Sequence, residues 1–275
     1  MYGADNIKGM KLYRCPERIY DELRLAGIGL EQPLEVSDLC RFDQYHYFGV
    51  KAVDDAIELL GIGSGMKILD IGSGIGGPAR YMAHKTACMV TCVEMQPDLH
   101  SIAASLTRRC GLSEQIRHVC ADILDYDMPG HDFDVTAGWL SFLHIPDRQR
   151  LFQKCFTALS PGGRLYAEDF YRKSQFTREE EKILSEDIYC SYLPAADEYK
   201  RQLSEAGFHA VRVIDMTGPW RDFVRQRMEH FIASRTDNLK VYDEDTVKGL
   251  EDFYKKMSIL FEGNNLAGAR IIAEK

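Results

Sequence analysis

From Met66 onward the apolar positions switch between two periods. Met66–Ile71 is an apolar run that ends in a glycine-rich loop, and Pro78–His84 opens a helix behind it. Met89–Glu94 reads as a second strand. Asp98–Cys110 then carries Leu99, Ile102, Ala103 and Leu106 on one helical stripe. Ile116–Cys120 and Phe133–Gly138 are short strands. Arg148–Leu159 is a helix with Leu151, Phe152, Cys155, Phe156 and Leu159 turned inward. Pro161-Gly162-Gly163 should stop that helix in a turn before the strand Arg164–Asp169. His209–Met216 and Ala269–Ala273 complete the strands, with helices expected over Trp220–Ser234 and Thr246–Phe261.

Strands alternating with helices of about a dozen residues imply a parallel sheet covered on both faces. The expected class is α/β: a Rossmann-like, doubly wound, mostly parallel seven-stranded sheet. N-terminal helices precede it, and a helical insertion rich in Glu and Tyr follows the fifth strand, over Tyr171–Ala206. Residues 1–60 read as a helical segment and active-site lid, including the helix Ala52–Leu60. Residues 61–170 form the Rossmann-like core, and residues 171–275 a helical cap with the closing strands of the same domain.

Composition narrows the field. At 275 residues with 45% hydrophobic and 28% charged side chains, the chain can bury a sizeable core and is not a disordered polymer. A formal net charge of −8 disfavours a broad grip on phosphate backbones, so nucleic acid is not expected as a partner. No run approaches the ~20 apolar residues of a membrane-spanning helix, and Met1–Met10 lacks the apolar core of a signal peptide. The eight cysteines include no CxxC pair; Cys88 and Cys92, on one face of a strand, read as buried reduced thiols, so a cytoplasmic address is expected. The eight histidines are scattered without ligand spacing, and no metal is expected.

The strongest chemical signal is Ile68-Leu69-Asp70-Ile71-Gly72-Ser73-Gly74-Ile75-Gly76-Gly77. An apolar strand runs into glycines that permit a tight turn and close backbone approach, and a helix follows. Dinucleotide sites share that geometry, but the acids here point elsewhere. Asp70 precedes the glycines, Glu94 ends the second strand where ribose hydroxyls can reach it, and Asp122-Ile123 follows the third strand, within reach of an adenine amino group. Such a trio would repel pyrophosphate and suits a cationic nucleoside, which argues against a nicotinamide-dependent oxidoreductase. Gly76 and Gly77 can equally serve helix–strand packing, Gln96 can cap a turn, and Asp122 can be only a loop acid.

ILDIGSGIGG, the strand-end Glu94, Ala121-Asp122 and LSPGGRLYAEDF resemble the ordered motifs of class I methyltransferases, over Met66–Phe170. The resemblance implies S-adenosyl-L-methionine as cofactor. Asp70, Gly72, Ser73 and Gly74 would border its methionine part, Glu94 with Met95 and Gln96 its ribose, and Asp122 with Ile123 its adenine. The main chain near Trp139 and Leu140 would complete the site.

Methyl transfer is an in-line displacement, and an amine acceptor must first shed its proton. The loop after the fourth strand, Trp139–Ile145, holds His144 as the candidate base or orienting group. The aromatic segment Phe42–Gly49 can close over the pocket, with His46 as a candidate acceptor contact. Glu168 and Asp169 end the fifth strand near the same mouth, and alternation would point only one of them inward. FLHIPDRQRLFQKCFTALSPGG is similar to the matching stretch of the phosphoethanolamine and sarcosine/dimethylglycine N-methyltransferases. That resemblance puts His144 on the motif histidine and implies a tyrosine partner from the N-terminal segment, for which Tyr20, Tyr45 and Tyr47 compete. It also implies tyrosines and an arginine after the fifth strand that hold phosphate. Tyr189 and Tyr192 match, but no arginine stands among residues 186–192, which weakens the case for a phosphate-bearing acceptor. Arg172, Lys173 and Arg178 nearby read as a solvated cluster. GGPARY recurs in tocopherol and related methyltransferases and does not identify the acceptor. The expected activity is methyl transfer to a small soluble acceptor, foremost an amine nitrogen; an oxygen, sulfur or ring carbon of another metabolite is the alternative, and dimerisation stays open.

Overall fold

A computed structural model of the chain describes residues 15–128 and 130–275; the leader reading of Met1–Met10 lies outside the described residues. Helices α1 (Arg18–Leu25), α2 (Val36–Leu39) and α3 (Val50–Leu60) come first. The core follows as β1 (Lys67–Ile71), α4 (Gly77–Thr86), β2 (Met89–Glu94), α5 (Pro97–Arg109), β3 (Ile116–Cys120), β4 (Phe133–Trp139), α6 (Arg148–Ala158) and β5 (Leu159–Arg172). Then come α7 (Arg178–Lys182), α8 (Ala196–Glu205), β6 (His209–Asp215), α9 (Thr217–Ala233), α10 (Arg235–Asn238), α11 (Glu244–Glu262) and β7 (Leu266–Glu274).

The seven strands form one sheet in the order β3-β2-β1-β4-β5-β7-β6. The first five are parallel, and β7 runs antiparallel between β5 and β6. Chain order reverses between β1 and β4, so their carboxyl ends open the crevice in which a doubly wound sheet binds its ligand. One face of the sheet packs against α6 and α8 through Leu151, Phe152, Cys155, Tyr199 and Leu203. The other packs against α3 and α4 through Ala52, Val53, Ala56, Ala79 and Met82. The N-terminal segment rests on α5, where Ile19, Leu23 and Leu39 meet Leu99, Ile102 and Leu106.

Two strands are longer than the pattern predicts. Leu159 already pairs with Phe133, and the register then jumps to Val135–Arg164, so Pro161-Gly162-Gly163 forms an irregularity within β5 rather than a turn before it. Gly162, at φ +78°, makes that bend. Strand β7 is extended by small residues that carry no alternation. Gly268 has to be small, since a Cβ there would stand 2.0 Å from Trp220 Cε3.

The helical insertion is also distributed differently. After β5, α7 starts with a Thr177–Glu180 capping box and runs into a π-helical turn at Ile183–Asp187. Helix α8, however, lies against α6 and the sheet as an ordinary covering helix. Much of the cap is built later, by α9 and α11 between β6 and β7, whose Trp220, Val224, Phe253 and Met257 join Tyr47 and Phe170 in one apolar cluster. The Glu/Tyr-rich composition drew the expected boundary toward 171–206; packing moves the centre of the cap to 217–262. Among the described residues no helix is long and apolar enough to cross a membrane, and no group of His, Cys, Asp or Glu is arranged to hold a metal ion.

Candidate active site

The glycine loop leaves β1 through Gly72, Gly74 and Gly76 at φ +67°, +54° and +79°, a region disfavoured for other residues. A Cβ on Gly72 would lie 2.5 Å from Ser141 Cβ. Ser141 Oγ donates to the Ile71 carbonyl at 2.6 Å, which ties the end of β1 to the loop after β4 across the switch point. Gly77 serves packing: a Cβ would come within 2.2 Å of the Asp43 carbonyl oxygen. Beside it, Arg80 Nη2 reaches Asp43 Oδ2 at 2.9 Å, both side chains at most 1% exposed. The Phe42–Gly49 segment is thereby fastened to α4.

The crevice beyond has a volume of about 610 Å³, and Gly72, Gly74, Glu94, Met95, Asp122 and Ile123 form part of its wall. Glu94 accepts the Gly74 N–H and the Gln96 N–H, each at 2.9 Å. Burial pushes its carboxyl up while these backbone donors pull it down. Each carboxylate oxygen can still accept a second bond, as a vicinal diol requires. Asp122 Oδ1 caps the Leu124 N–H at 2.9 Å, so its capping role and its place on the crevice wall coexist. Gln96 also lines the wall, with Oε1 buried and unpartnered.

Asp70 stands behind this wall, 0% exposed, and neither of its oxygens has a hydrogen-bond partner. Burial, assisted by the Glu94 charge, pushes its carboxyl up to about 7. Ser73 Oγ is likewise buried without a partner. A buried carboxylate lacking donors is costly unless a cation comes to it. An orphaned acid, a loop that admits no Cβ at Gly72 and a strand-end carboxylate together fit a nucleoside bearing an amino group and a sulfonium.

A second cavity of about 600 Å³ adjoins the first and shares Trp139, Leu140 and His144 with it. Leu140 sits at φ +52°, held there by its N–H donating to the Glu168 carbonyl at 2.8 Å. Trp139 lies between His46 and Tyr166, at centroid distances of 5.0 and 5.1 Å. His144 ends the 3₁₀ turn Phe142–His144, with Nδ1 3.3 Å from the Tyr189 carbonyl. Nδ1 donating there leaves Nε2 as the basic nitrogen of the neutral ring. Burial lowers its pKa to about 4, so the imidazole is neutral at physiological pH.

Tyr45 and Tyr47 both line this chamber with His144; Tyr20 instead packs among the α1 and α5 side chains. His46 bonds the Gly49 carbonyl at 3.0 Å and faces a neighbouring outer cleft rather than the chamber. Tyr189 approaches His144 through its carbonyl, while its ring packs against the cap cluster. Tyr192 points away: its hydroxyl accepts from Gln202 Nε2 at 2.6 Å, on α8. Neither strand-end acid lines the crevice or the chamber. Glu168 is held by Arg270 Nη2 at 3.0 Å and Tyr166, and Asp169 by Arg148 Nη1 at 2.8 Å and Tyr199. Alternation separates the two, but each meets a buried arginine instead of substrate. Lys173 bonds Asn264, Arg172 lies 4.0 Å from Glu198, and Arg178 is exposed.

The residues that the sequence reading missed come from the cap. Arg227 of α9 and Phe253, Tyr254 and Met257 of α11 line the chamber. Arg227 looks like a solvated helix position in sequence, and only its helical offset from the apolar Val224 hinted at an inward turn.

Comparison with known proteins agrees with this geometry. A family model described as a methyltransferase domain matches residues 68–163. Phosphoethanolamine N-methyltransferase 1 of Zea mays is 28% identical over 207 residues, covering 75% of this chain and 41% of that protein. The phosphoethanolamine N-methyltransferase of Plasmodium falciparum is 24% identical, covering 76% of this chain and 78% of that one. The chain thus spans less than half the length of the plant relative. Among solved structures, Haemonchus contortus phosphoethanolamine N-methyltransferase 2, bound to phosphomonomethylethanolamine and S-adenosylhomocysteine, superposes with a TM-score of 0.77 at 21% identity, over 82% of this chain and 53% of that one. Residues 68–163 thus match a methyltransferase domain, and the sheet order is the fold that this methyltransferase structure shares.

Proposed function

We propose that this chain moves a methyl group to a small acceptor, foremost an amine nitrogen, by in-line displacement. One observation carries the reading: the nucleoside crevice and the aromatic chamber share a wall of Trp139, Leu140 and His144, so a donor on one side and a nucleophile on the other meet there. The bound cofactor supplies an activated methyl on a positively charged sulfur. Gly72, Ser73, Gly74 and Asp70 would hold its methionine part, Glu94, Met95 and Gln96 its ribose, and Asp122 and Ile123 its adenine, with Trp139 and Leu140 closing the site.

On the acceptor side, Asp and Glu are missing from the lining of the chamber among the described residues. Burial without a counter-anion favours an amine in its neutral, nucleophilic form. His144 Nε2 would orient the nitrogen by accepting its N–H and take the proton that the product amine sheds. Tyr45 or Tyr47 would fix the nitrogen from the lid. In this reading the described residues before 61 form the lid, 61–170 the cofactor-binding core and 171–275 the acceptor-side cap.

The test is calorimetry with S-adenosylmethionine and S-adenosylhomocysteine, followed by a radiolabel screen over ethanolamine, phosphoethanolamine, glycine, sarcosine and larger amines. Binding of both nucleosides at micromolar levels and label on an amine are expected. No binding of either would end the reading, and label on a phenol or thiol alone would move it to oxygen or sulfur.

Asp70 makes a pH prediction. Burial holds this carboxyl at about 7, and a cation bound nearby favours its ionised form. Below about pH 7 binding therefore expels a proton, so affinity should rise by up to tenfold per pH unit toward pH 7 and level off above it. Asp70→Asn should bind more weakly and lose that part of the slope. Identical slopes for variant and wild type between about pH 5.5 and 7 would remove Asp70 from the site.

A further inference from the structure

The aromatic chamber adjoins an outer cleft through Arg227. Arg227 lines both the chamber and that cleft, which lies between the lid and α9 and whose walls include Arg41, Gln44, His46 and Gln226. Inside, the body of the chamber is apolar, with Tyr47, Trp139, Phe170, Phe253 and Met257 around it. Where the two spaces meet, Arg227 lies over the Tyr254 ring, its guanidinium carbon 4.9 Å from the centroid, and among the described residues no carboxylate lines either space beside it. Arg41 stands in the cleft outside, stacked on Phe42 at 4.4 Å and without an acidic partner among the described residues. Among the described residues no Asp or Glu lines either space, although the chain carries a net charge of −8. A positive path in an acidic protein, leading into an apolar room, selects by charge at the entrance and by shape within.

We propose that the acceptor is an amphipathic anion, its apolar body in the aromatic chamber and its negative group, a carboxylate or phosphate, on Arg227 where the two spaces meet. This deepens the reading of the chamber as the acceptor site and rests on it. The guanidinium offers planar paired donors to either anion, and its stacking on Tyr254 fixes its orientation. Arg41 draws the anion to the cleft. A simple cationic amine finds no counter-charge on this route. A small zwitterion such as phosphoethanolamine satisfies Arg227 but leaves the aromatic walls unfilled.

Binding of substrate-sized probes tests this without requiring transfer. Calorimetry in the presence of S-adenosylhomocysteine would compare 4-phenylbutanoate, its neutral amide, 4-phenylbutylamine, 2-phenylethyl phosphate and phosphoethanolamine. The carboxylate or the aryl phosphate should bind at least about tenfold tighter than the amide, the amine weakest, and whichever anion is tighter names the natural group. In Arg227→Gln that preference should vanish while S-adenosylhomocysteine binds as before; Arg227→Lys should restore part of it. Equal binding of amide and anions, or no binding of either anion at millimolar levels, overturns the charge assignment. Phosphoethanolamine binding as tightly as the aryl probes overturns the apolar body. A chain that prefers the anions yet methylates no amine would retain this inference and lose the amine reading, so the two fail separately.

Discussion

His144→Ala should lower turnover by about 10²- to 10⁴-fold and leave the affinity for S-adenosylmethionine nearly unchanged. The residue is half-buried, its Nδ1 engaged with the Tyr189 carbonyl, and it stands where the two cavities meet. Removing it deletes a proton acceptor without touching Glu94, Asp122 or the glycine loop. Its pKa, lowered to about 4, also sets the expected pH behaviour. The imidazole is neutral above that value, so its loss by protonation should cut the rate only on the acid side, near pH 4. Between about pH 5.5 and 8 any slope in turnover must come from other groups. Tyr45→Phe and Tyr47→Phe, measured the same way, identify which hydroxyl works with it. Stopped-flow single turnover separates chemistry from product release; an unchanged single-turnover rate in His144→Ala would mean that placement alone suffices and that no base was needed.

The largest effect on stability is expected at the buried pair Arg148–Asp169. Arg148 is the first residue of α6, directly after the His144 loop, and its side chain is 1% exposed. It bonds Asp169 at 2.8 Å and the Tyr199 hydroxyl at 3.1 Å, and Tyr199 in turn donates to Asp169 at 3.0 Å. Arg148→Ala leaves the Asp169 carboxylate buried with a single neutral partner. That should cost about 3–5 kcal/mol and lower Tm by on the order of 10 °C. Arg148→Met combined with Asp169→Leu should recover much of the loss, because a matched apolar pair avoids the desolvation of both charges. Arg148 Nη2 and Asp169 Oδ1 already lack partners, which limits what the intact pair contributes. A loss under about 1 kcal/mol in Arg148→Ala, read by urea denaturation, would show that the network relaxes or admits water.

What could be read from sequence was what lies close in sequence. Asp70, Gly72, Gly74 and Glu94 sit where a strand gives way to a loop, and the periodicity of β1 to β4 locates those ends within a residue or two. His144 follows the same logic at the end of β4. The lid tyrosines were legible only as a choice, because Tyr20, Tyr45 and Tyr47 share composition and differ in packing. Glu168 and Asp169 illustrate the limit: alternation separates their directions, but their partners, Arg270 on β7 and Arg148 on α6, are tertiary facts. Arg227 and Tyr254 meet the site from helices far along the chain. An arginine on an amphipathic helix carries no mark that distinguishes a site wall from a solvated face, and Tyr192, which carried the expected motif, turned to Gln202 instead.

The clamp between Asp43 and Arg80 bears on how molecules move in and out. Because the backbone of the Phe42–Gly49 segment presses against Gly77 and its Asp43 is paired with Arg80 on α4, swinging that segment outward would break a buried ion pair and leave Arg80 without its counter-charge. If this segment stays fixed, the cleft beside α9 is the side from which small molecules would reach the chamber. Substitutions along the cleft that Arg41, Gln226 and Arg227 line should then alter how fast small molecules exchange, while the Asp43–Arg80 contact stays in place.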